Sequence, residues 1–165
     1  MSFTIHRPVA DDWEAFRDLR LRMLRDTPIA YGETLKQALR LDDDEWRSRA
    51  LRAVQSGNTA AVAVAQDGAW VGIMRGYVSQ RRGPMLVGVF VDPGARGAGA
   101  GVADALLDVV VEWARGEGNA LRLDVHADNP RAIAFYRRRG FEDTGRRIPY
   151  ELPPFGEELE MELRL

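Results

Sequence analysis

The sequence contains no cysteine and only two histidines, His6 and His126. Without cysteine the chain can form no disulfide, no thiolate nucleophile and no cysteine–metal site. A zinc centre would have to rely on carboxylates, and we therefore predict that the protein uses no metal. The absence of cysteine says little about the redox compartment.

The chain also lacks a long apolar run and an excess of positive charge. No segment is apolar enough to span a bilayer, and residues 1–7 do not resemble a signal peptide. We therefore predict a cytoplasmic protein without a membrane partner. The formal net charge is −2, so nucleic acid is not a predicted partner either.

Lysine is almost absent from the chain. Lys36 is the only one, and every other strongly basic residue is arginine. We attribute this bias to a GC-rich genome that favours arginine and alanine codons. On this interpretation, a single arginine is weak evidence of a functional role.

Hydrophobic periodicity divides the chain into helices and strands within one predicted domain, residues 1–165. A length of 165 residues suits one domain with a sizeable core. The pattern predicts a strand, two helices and about three strands with a hairpin turn at Asp67-Gly68. A helix, a strand, a helix and two final strands follow. This order is typical of a mixed α/β sheet.

Two details of the pattern lead to specific expectations. Asp42 and Glu45 have the spacing of a capping box and predict the start of the second helix. The last strand alternates acidic and apolar side chains, and at a sheet edge it could pair with a second copy in a homodimer. The expected buried positions of the second helix are Trp46, Ala50, Leu51 and Val54.

A glycine-rich loop connects a predicted apolar strand, residues 85–91, to a predicted helix that starts at Gly101. Its backbone N–H groups and the helix dipole, about half a positive charge, favour a bound anion. A tight turn of small residues is the structural alternative. A P-loop would end in Gly-Lys-Ser/Thr, and a dinucleotide fold would need another glycine spacing in the first strand–helix unit. The loop consists of Arg96, Gly97, Ala98, Gly99, Ala100 and Gly101.

A second motif follows in residues 129–141. It reads Asn129-Pro130-Arg131-Ala132-Ile133-Ala134-Phe135-Tyr136-Arg137-Arg138-Arg139-Gly140-Phe141. Together, the loop and this motif resemble the two hallmarks of the GNAT N-acetyltransferase superfamily, Gln/Arg-x-x-Gly-x-Gly/Ala and Asn-x-x-Ala-x-x-Phe-Tyr-x-x-x-Gly-Phe. The resemblance is close over residues 85–141. It implies a mixed, mostly antiparallel α/β (α+β) sheet of about six to seven strands, flanked by about four helices and splayed at the central strands.

The resemblance also implies a co-substrate and a reaction. In that family the backbone amides of the loop hold the pyrophosphate of acetyl-CoA. The implied activity is direct transfer of the acetyl group to a primary amine of a small molecule, a peptide or a protein. The implied contacts of the pantetheine arm are Asn129 and the splayed fourth strand, at Val89, Phe90 and Val91.

Proton transfer is less well marked in the sequence. Tyr136 matches the family tyrosine that protonates the departing thiolate, although a tyrosine in an apolar helix is ordinarily a core residue. A base is needed, since an alkylammonium has a pKa of about 10.4. The glutamate that many relatives carry early in the fourth strand is missing from residues 85–88. Other candidates are Glu33, Asp124 and His126, and deprotonation through water is the alternative that we favour.

The acceptor is not defined by the sequence. The resemblance implies an acceptor wall at residues 27–41 and 148–155, where aromatic side chains either line a pocket or pack internally: Tyr31, Tyr150 and Phe155. Glu33 and Glu151 in these segments suit a cationic amine. Two other functions stay open: a non-catalytic CoA-binding or regulatory module on the same fold, and an acyltransferase with a longer thioester or a non-amine acceptor.

Overall fold

A seven-stranded sheet is the framework of the computed structural model, which describes residues 1–97 and 99–165. The strands are β1 (Phe3–His6), β2 (Thr59–Ala65), β3 (Trp70–Ser79), β4 (Gly83–Val91), β5 (Ala120–His126), β6 (Glu142–Pro149) and β7 (Glu157–Arg164). Their spatial order is β1-β2-β3-β4-β5-β7-β6, and only the neighbours β4 and β5 are parallel. The predicted mixed, mostly antiparallel sheet is confirmed.

Five α-helices occur in the described residues, one more than predicted. They are α1 (Trp13–Asp26), α2 (Leu35–Ala38), α3 (Asp43–Val54), α4 (Val102–Glu117) and α5 (Pro130–Arg138). The additional helix is the short α2, which starts at a capping box: Thr34 accepts a hydrogen bond from the backbone N–H of Gln37, and the Gln37 side chain accepts one from the N–H of Thr34. Asp42 caps α3 as predicted, by accepting from the N–H of Glu45 at 2.8 Å.

The helices cover both faces of the sheet. On one face, Leu19 and Met23 of α1 pack against Ile73 and Phe90. On the other face, α4 packs over the central strands in the main apolar core. The expected burial of Leu51 is wrong, because this side chain is 57% exposed and the helix instead buries Ala53.

The central strands β4 and β5 separate, as the family resemblance implied. Among the described residues, the pair joins at a single register position, Met85 opposite Arg122. A register shift between β3 and β4 marks a bulge, and Gly88 within it has a φ of +60°. A left-handed residue interrupts the regular pleat of a strand, so β4 bends away from β5 beyond this point.

The C-terminal strand β7 lies inside the sheet and not at its edge. It pairs with β5 from Ala120–Arg164 to His126–Glu158, and β6 covers its other side. The edge argument for a homodimer through this strand is therefore wrong, because the backbone groups of β7 are already paired on both sides. In the described chain, no helix combines the length and apolar character needed to cross a bilayer.

Candidate functional site

The separation of β4 and β5 opens a cleft of about 820 Å³. This volume lies within the range of small-molecule sites, about 300–1,000 Å³. The second half of β4 forms one wall, and the end of β5 together with α5 forms the other. The predicted site residues that line the cleft are Val89, Phe90, Val91, Arg96, Gly97, Asn129 and Tyr136.

The glycine loop runs from the end of this cleft to the start of α4. Gly97 and Gly101 have φ values of +107° and +72°, which explains why glycine occupies both positions. The N–H of Ala100 donates to the carbonyl of Gly97 at 3.1 Å, and Gly101 is the N-cap of α4. At Gly99, no described atom outside the adjacent residues lies within 4 Å of where a Cβ would stand, so the fold itself does not require a glycine. The predicted contact Ala98 lies outside the described residues.

The side chain of Arg96 fastens the loop to the fold. Its Nε donates to the carbonyl of Val91 at 2.7 Å, and its guanidinium forms an ion pair with Asp26 at the end of α1. The same group lies over the ring of Phe90, 5.7 Å from the centroid. Arg96 therefore positions the loop, which leaves the backbone N–H groups and the start of α4 to meet an anion.

Tyr136 of α5 has a buried ring and lines the cleft. The ring contacts Phe135 and Phe141. Burial raises the pKa of Tyr136 well above 10, and the neighbouring Tyr31 adds to this effect. The phenol is therefore neutral at physiological pH, and no hydrogen-bond partner for its hydroxyl is found in residues 1–97 and 99–165. It is a free donor in the cleft.

Val89 and Asn129 contribute from the two walls. The carbonyl of Val89 accepts a hydrogen bond from the hydroxyl of Tyr31 at 3.0 Å, which brings the loop after α1 over the bulge. The Asn129 Oδ1 accepts from the N–H of Ala132 at 3.3 Å, so the predicted helix cap is confirmed. The structure thus assembles residues from β4, α5 and the loop after α1 around one space.

Two of the three predicted candidates for a base are held in ion pairs. Glu33 accepts from Arg20 at 3.0 Å and from Arg49 at 2.8 and 3.2 Å. Asp124 accepts from both terminal nitrogens of Arg82 at 2.6 and 2.8 Å. Both carboxylates are thus engaged in charge-assisted hydrogen bonds, and for Glu33 the hydrogen bonds from Arg49 and the charge of Arg20 lower the pKa in spite of burial, which makes it a poor proton acceptor.

The third candidate, His126, holds the loop between β6 and β7. It is 1% exposed, and its Nδ1 accepts from the N–H of Asp128 at 3.0 Å. Its Nε2 therefore carries the proton and donates to the carbonyl of Phe155 at 2.7 Å. With both ring nitrogens occupied, His126 has no free lone pair for a substrate proton.

The predicted acceptor wall is only partly formed. Tyr31 lines the cleft, and the hydroxyl of Tyr150 accepts from the N–H of Gly32 at 3.2 Å, which joins the two predicted segments. Phe155 is 57% exposed, and Glu151 is also exposed. Because Glu33 is bound by two arginines, it is not free to hold a cationic amine, and such a role for Glu151 stays a prediction.

Glu158 of β7 also lines the cleft, and no motif in the sequence marks this carboxylate as a site residue. It lies opposite His126 in the β5–β7 ladder. Burial, together with the charge of Asp124, raises the pKa of Glu158 above its usual value. The alternation of residues 158–165 placed Glu158 on a polar face, but only the pairing of β7 with β5 brings that face to the cleft.

Arg75 of β3 is a second residue on the cleft that no motif in the sequence marks. It borders both the cleft and a smaller adjoining pocket of about 560 Å³ that contains Arg20, Glu33 and Arg49. Burial, reinforced by the nearby arginines, lowers the pKa of Arg75 to about 10. Because arginine is common in this chain, a single arginine did not stand out as a candidate site residue.

Comparisons with known proteins agree with this architecture. The model of a family described as Acetyltransferase (GNAT) family matches residues 13–141. An uncharacterized N-acetyltransferase of Methanocaldococcus jannaschii is 28% identical over 150 residues, which are 86% of this chain and 62% of that relative. The chain thus spans less than two thirds of the length of this curated relative.

Two solved structures have the same fold. A phosphinothricin acetyltransferase from Sinorhizobium meliloti, in complex with AcCoA, superposes with a TM-score of 0.78 at 21% identity and covers 100% of this chain and 89% of that one. A ribosomal-protein-alanine N-acetyltransferase from Brucella melitensis superposes with a TM-score of 0.77 at 23% identity, covering 98% of this chain and 99% of that one. The names of these two proteins refer to different acceptors, although their folds are the same, so the fold alone does not identify an acceptor.

Proposed function

Because the chain belongs to the GNAT acetyltransferase family, we propose that it transfers an acetyl group from acetyl-CoA to a primary amine. The observation that supports this proposal is the cleft, which leads from the glycine loop to the hydroxyl of Tyr136, a group without a hydrogen-bond partner in the described part of the chain. The cleft is long enough to involve the loop, β4 and α5 together. We take residues 1–165 as one catalytic domain, and a cytoplasmic location remains a prediction.

The residues around the cleft suit a CoA thioester. The N–H groups of Gly97, Gly99 and Gly101, with the positive end of the α4 dipole, offer donors to a pyrophosphate, whereas the N–H of Ala100 already donates to the carbonyl of Gly97. The free edge of β4 at Val89–Val91 offers backbone groups to the amides of a pantetheine arm, as in the addition of a strand. Asn129 stands on the opposite wall. When bound, acetyl-CoA supplies an activated acyl group.

The negative charge that develops on the acyl oxygen during attack of the amine needs a hydrogen-bond donor. The N–H of Asp92 donates to the carbonyl of Val71 on β3. Because successive N–H groups of a strand point to opposite sides, the N–H of Val91 points away from β3 and into the cleft. We assign this N–H the stabilisation of the oxyanion.

Two side chains are suited to move protons. Glu158, whose pKa is raised, is suited to accept a proton from the acceptor's ammonium, directly or through water, so that the neutral amine can attack the thioester. Tyr136 stays protonated and can donate to the sulfur as the C–S bond breaks. The sulfur becomes basic only as the C–S bond breaks, so this donation accompanies bond cleavage and does not precede it.

The proposal is tested by release of free CoA thiol across a panel of amines, with Tyr136→Phe as the variant. Phenylalanine keeps the ring packing, so we expect an unchanged melting temperature and an unchanged thermal shift with acetyl-CoA. We expect kcat to fall about 10²–10⁴-fold. If the wild type binds acetyl-CoA but releases no thiol with any amine, the chain is a CoA-binding module. If Tyr136→Phe turns over normally, the general-acid role is wrong.

A further inference from the structure

Arg75 differs from the other arginines that are removed from solvent. Arg20 and Arg49 bind Glu33, and Arg82 binds Asp124 and Glu160. For Arg75, the described part of the chain offers neither a carboxylate at ion-pairing distance nor a hydrogen-bond acceptor. Burial and the positive charges of Arg20, Arg49 and Arg52 disfavour its charged form, and the carboxylate of Glu33, beyond ion-pairing distance, offsets this in part. A largely buried guanidinium without an ion-pair partner gains stabilisation when an anion reaches it.

The position of Arg75 is set by the bulge in β4. Arg75 lies opposite Val87 in the ladder, and its Nε and Nη2 would stand 2.8 and 3.0 Å from a Cβ at Gly88. The guanidinium thus fills the space that a side chain at Gly88 would need. The guanidinium lies directly on the bulge at which β4 leaves β5, at the junction of the cleft and the smaller pocket.

Arg75 also faces the side of the sheet on which the acceptor is expected. Its neighbours in β3, Met74 and Gly76, contact the α4 side, so Arg75 points to the opposite face. Glu158 lies on that same face, because Leu159 and Met161 pack into the α4 core. An unpaired cation on β3 and a carboxylate on β7 thus stand on one face, on either side of the opening between β4 and β5.

We propose that Arg75 binds the carboxylate of the acyl acceptor, and that the acceptor is a small molecule of the amino-acid type with an amine and a carboxylate. A guanidinium presents a planar fork of donors that matches a carboxylate. The amine then extends toward the thioester and Glu158. This inference rests on the proposed acetyltransferase function and narrows its substrate class.

The test compares amino acids with their carboxamides, which differ only at the anionic group. The wild type is expected to prefer the acid over its amide by at least about tenfold in kcat/KM. The variant Arg75→Met should raise KM for the acid about 10- to 100-fold and leave KM for the amide unchanged. The matched control is Arg81→Met, an exposed arginine in the turn between β3 and β4, which should behave like the wild type.

A second readout does not depend on turnover. In the presence of CoA, a panel of amino acids is screened for thermal stabilisation of the wild type and of Arg75→Met. Acids that stabilise only the wild type support the proposal. Equal binding and turnover of acids and amides would overturn it and leave the acetyltransferase function intact. A uniform loss of stability and of activity on every acceptor in Arg75→Met would make Arg75 structural and also overturn it. If no amine releases thiol, the acetyltransferase function is refuted instead. In that case, stabilisation of the wild type but not of Arg75→Met by amino acids would still support binding of a carboxylate by Arg75, and equal stabilisation would overturn it.

Discussion

Replacement of Glu33 by glutamine is expected to destabilise the fold without a specific effect on the acceptor. The carboxylate accepts three hydrogen bonds, one from Arg20 and two from Arg49, and its side chain is only 12% exposed. These bonds tie the loop after α1 to α1 and to α3. Glutamine keeps the shape but removes the charge that the two guanidinium groups share.

The magnitude follows from the burial of the pairs. Breaking a fully buried ion pair costs about 3–5 kcal/mol, whereas an exposed pair contributes less than about 1 kcal/mol. Arg49 is 31% exposed and keeps Glu45 as a second partner, so the cost lies between these limits. We expect a loss of about 2 kcal/mol, which lowers the melting temperature by about 4–8 °C for a chain of this length.

The same ion pairs make this stabilisation dependent on pH. Burial alone would raise the pKa of Glu33, but the hydrogen bonds from Arg49 and the charge of Arg20 hold it below the usual value of 4.5. Since the pKa is lower in the folded state, the stabilisation is complete above about pH 4.5 and is lost as the pH falls through the folded-state pKa. The difference between wild type and Glu33→Gln should therefore shrink below that pH.

Thermal denaturation of both proteins at neutral and acidic pH measures these effects. Asp44→Asn is a matched control, because Asp44 is 92% exposed and its ion pair with Arg47 should contribute less than about 0.5 kcal/mol. A melting temperature lowered no further than in the control would refute the reasoning. So would a raised KM for a cationic amine without any loss of stability.

Two further predictions concern the cleft. Glu158→Gln is expected to lower kcat about 10²–10⁴-fold and to abolish the rise of kcat/KM with pH through the raised pKa of this carboxyl; an unaltered pH profile would contradict the assignment as base. Gly99→Val should keep the wild-type melting temperature, since the Cβ position is open. The same variant should weaken the binding of acetyl-CoA at least about tenfold, as measured by calorimetric titration. Gly116→Val, at another open position on the far end of α4, serves as the control, and equal affinity in both variants would show that the loop does not approach the co-substrate.

Local interactions explain why much of the fold was predictable. The hairpin turn at Asp67-Gly68, the Asp42 cap and the Asn129 cap each depend on residues a few positions apart. The positive φ values at Gly97 and Gly101 likewise follow from a loop that must turn sharply into a helix. These features are readable in sequence because the atoms that stabilise them come from the same short segment.

The sequence by itself therefore determined the order of elements, the family and the loop expected to meet the co-substrate. Only the tertiary structure decided which charged groups are free to act. Glu33, Asp124 and His126 looked available, yet each is held by partners far away in the chain. Glu158 and Arg75 are ordinary charged residues in the sequence, yet strand pairing brings both to the cleft, where Arg75 has no ion-pair partner among the described residues. Availability of a charge depends on its neighbours in space, and those neighbours are set by strand pairing that no local pattern encodes.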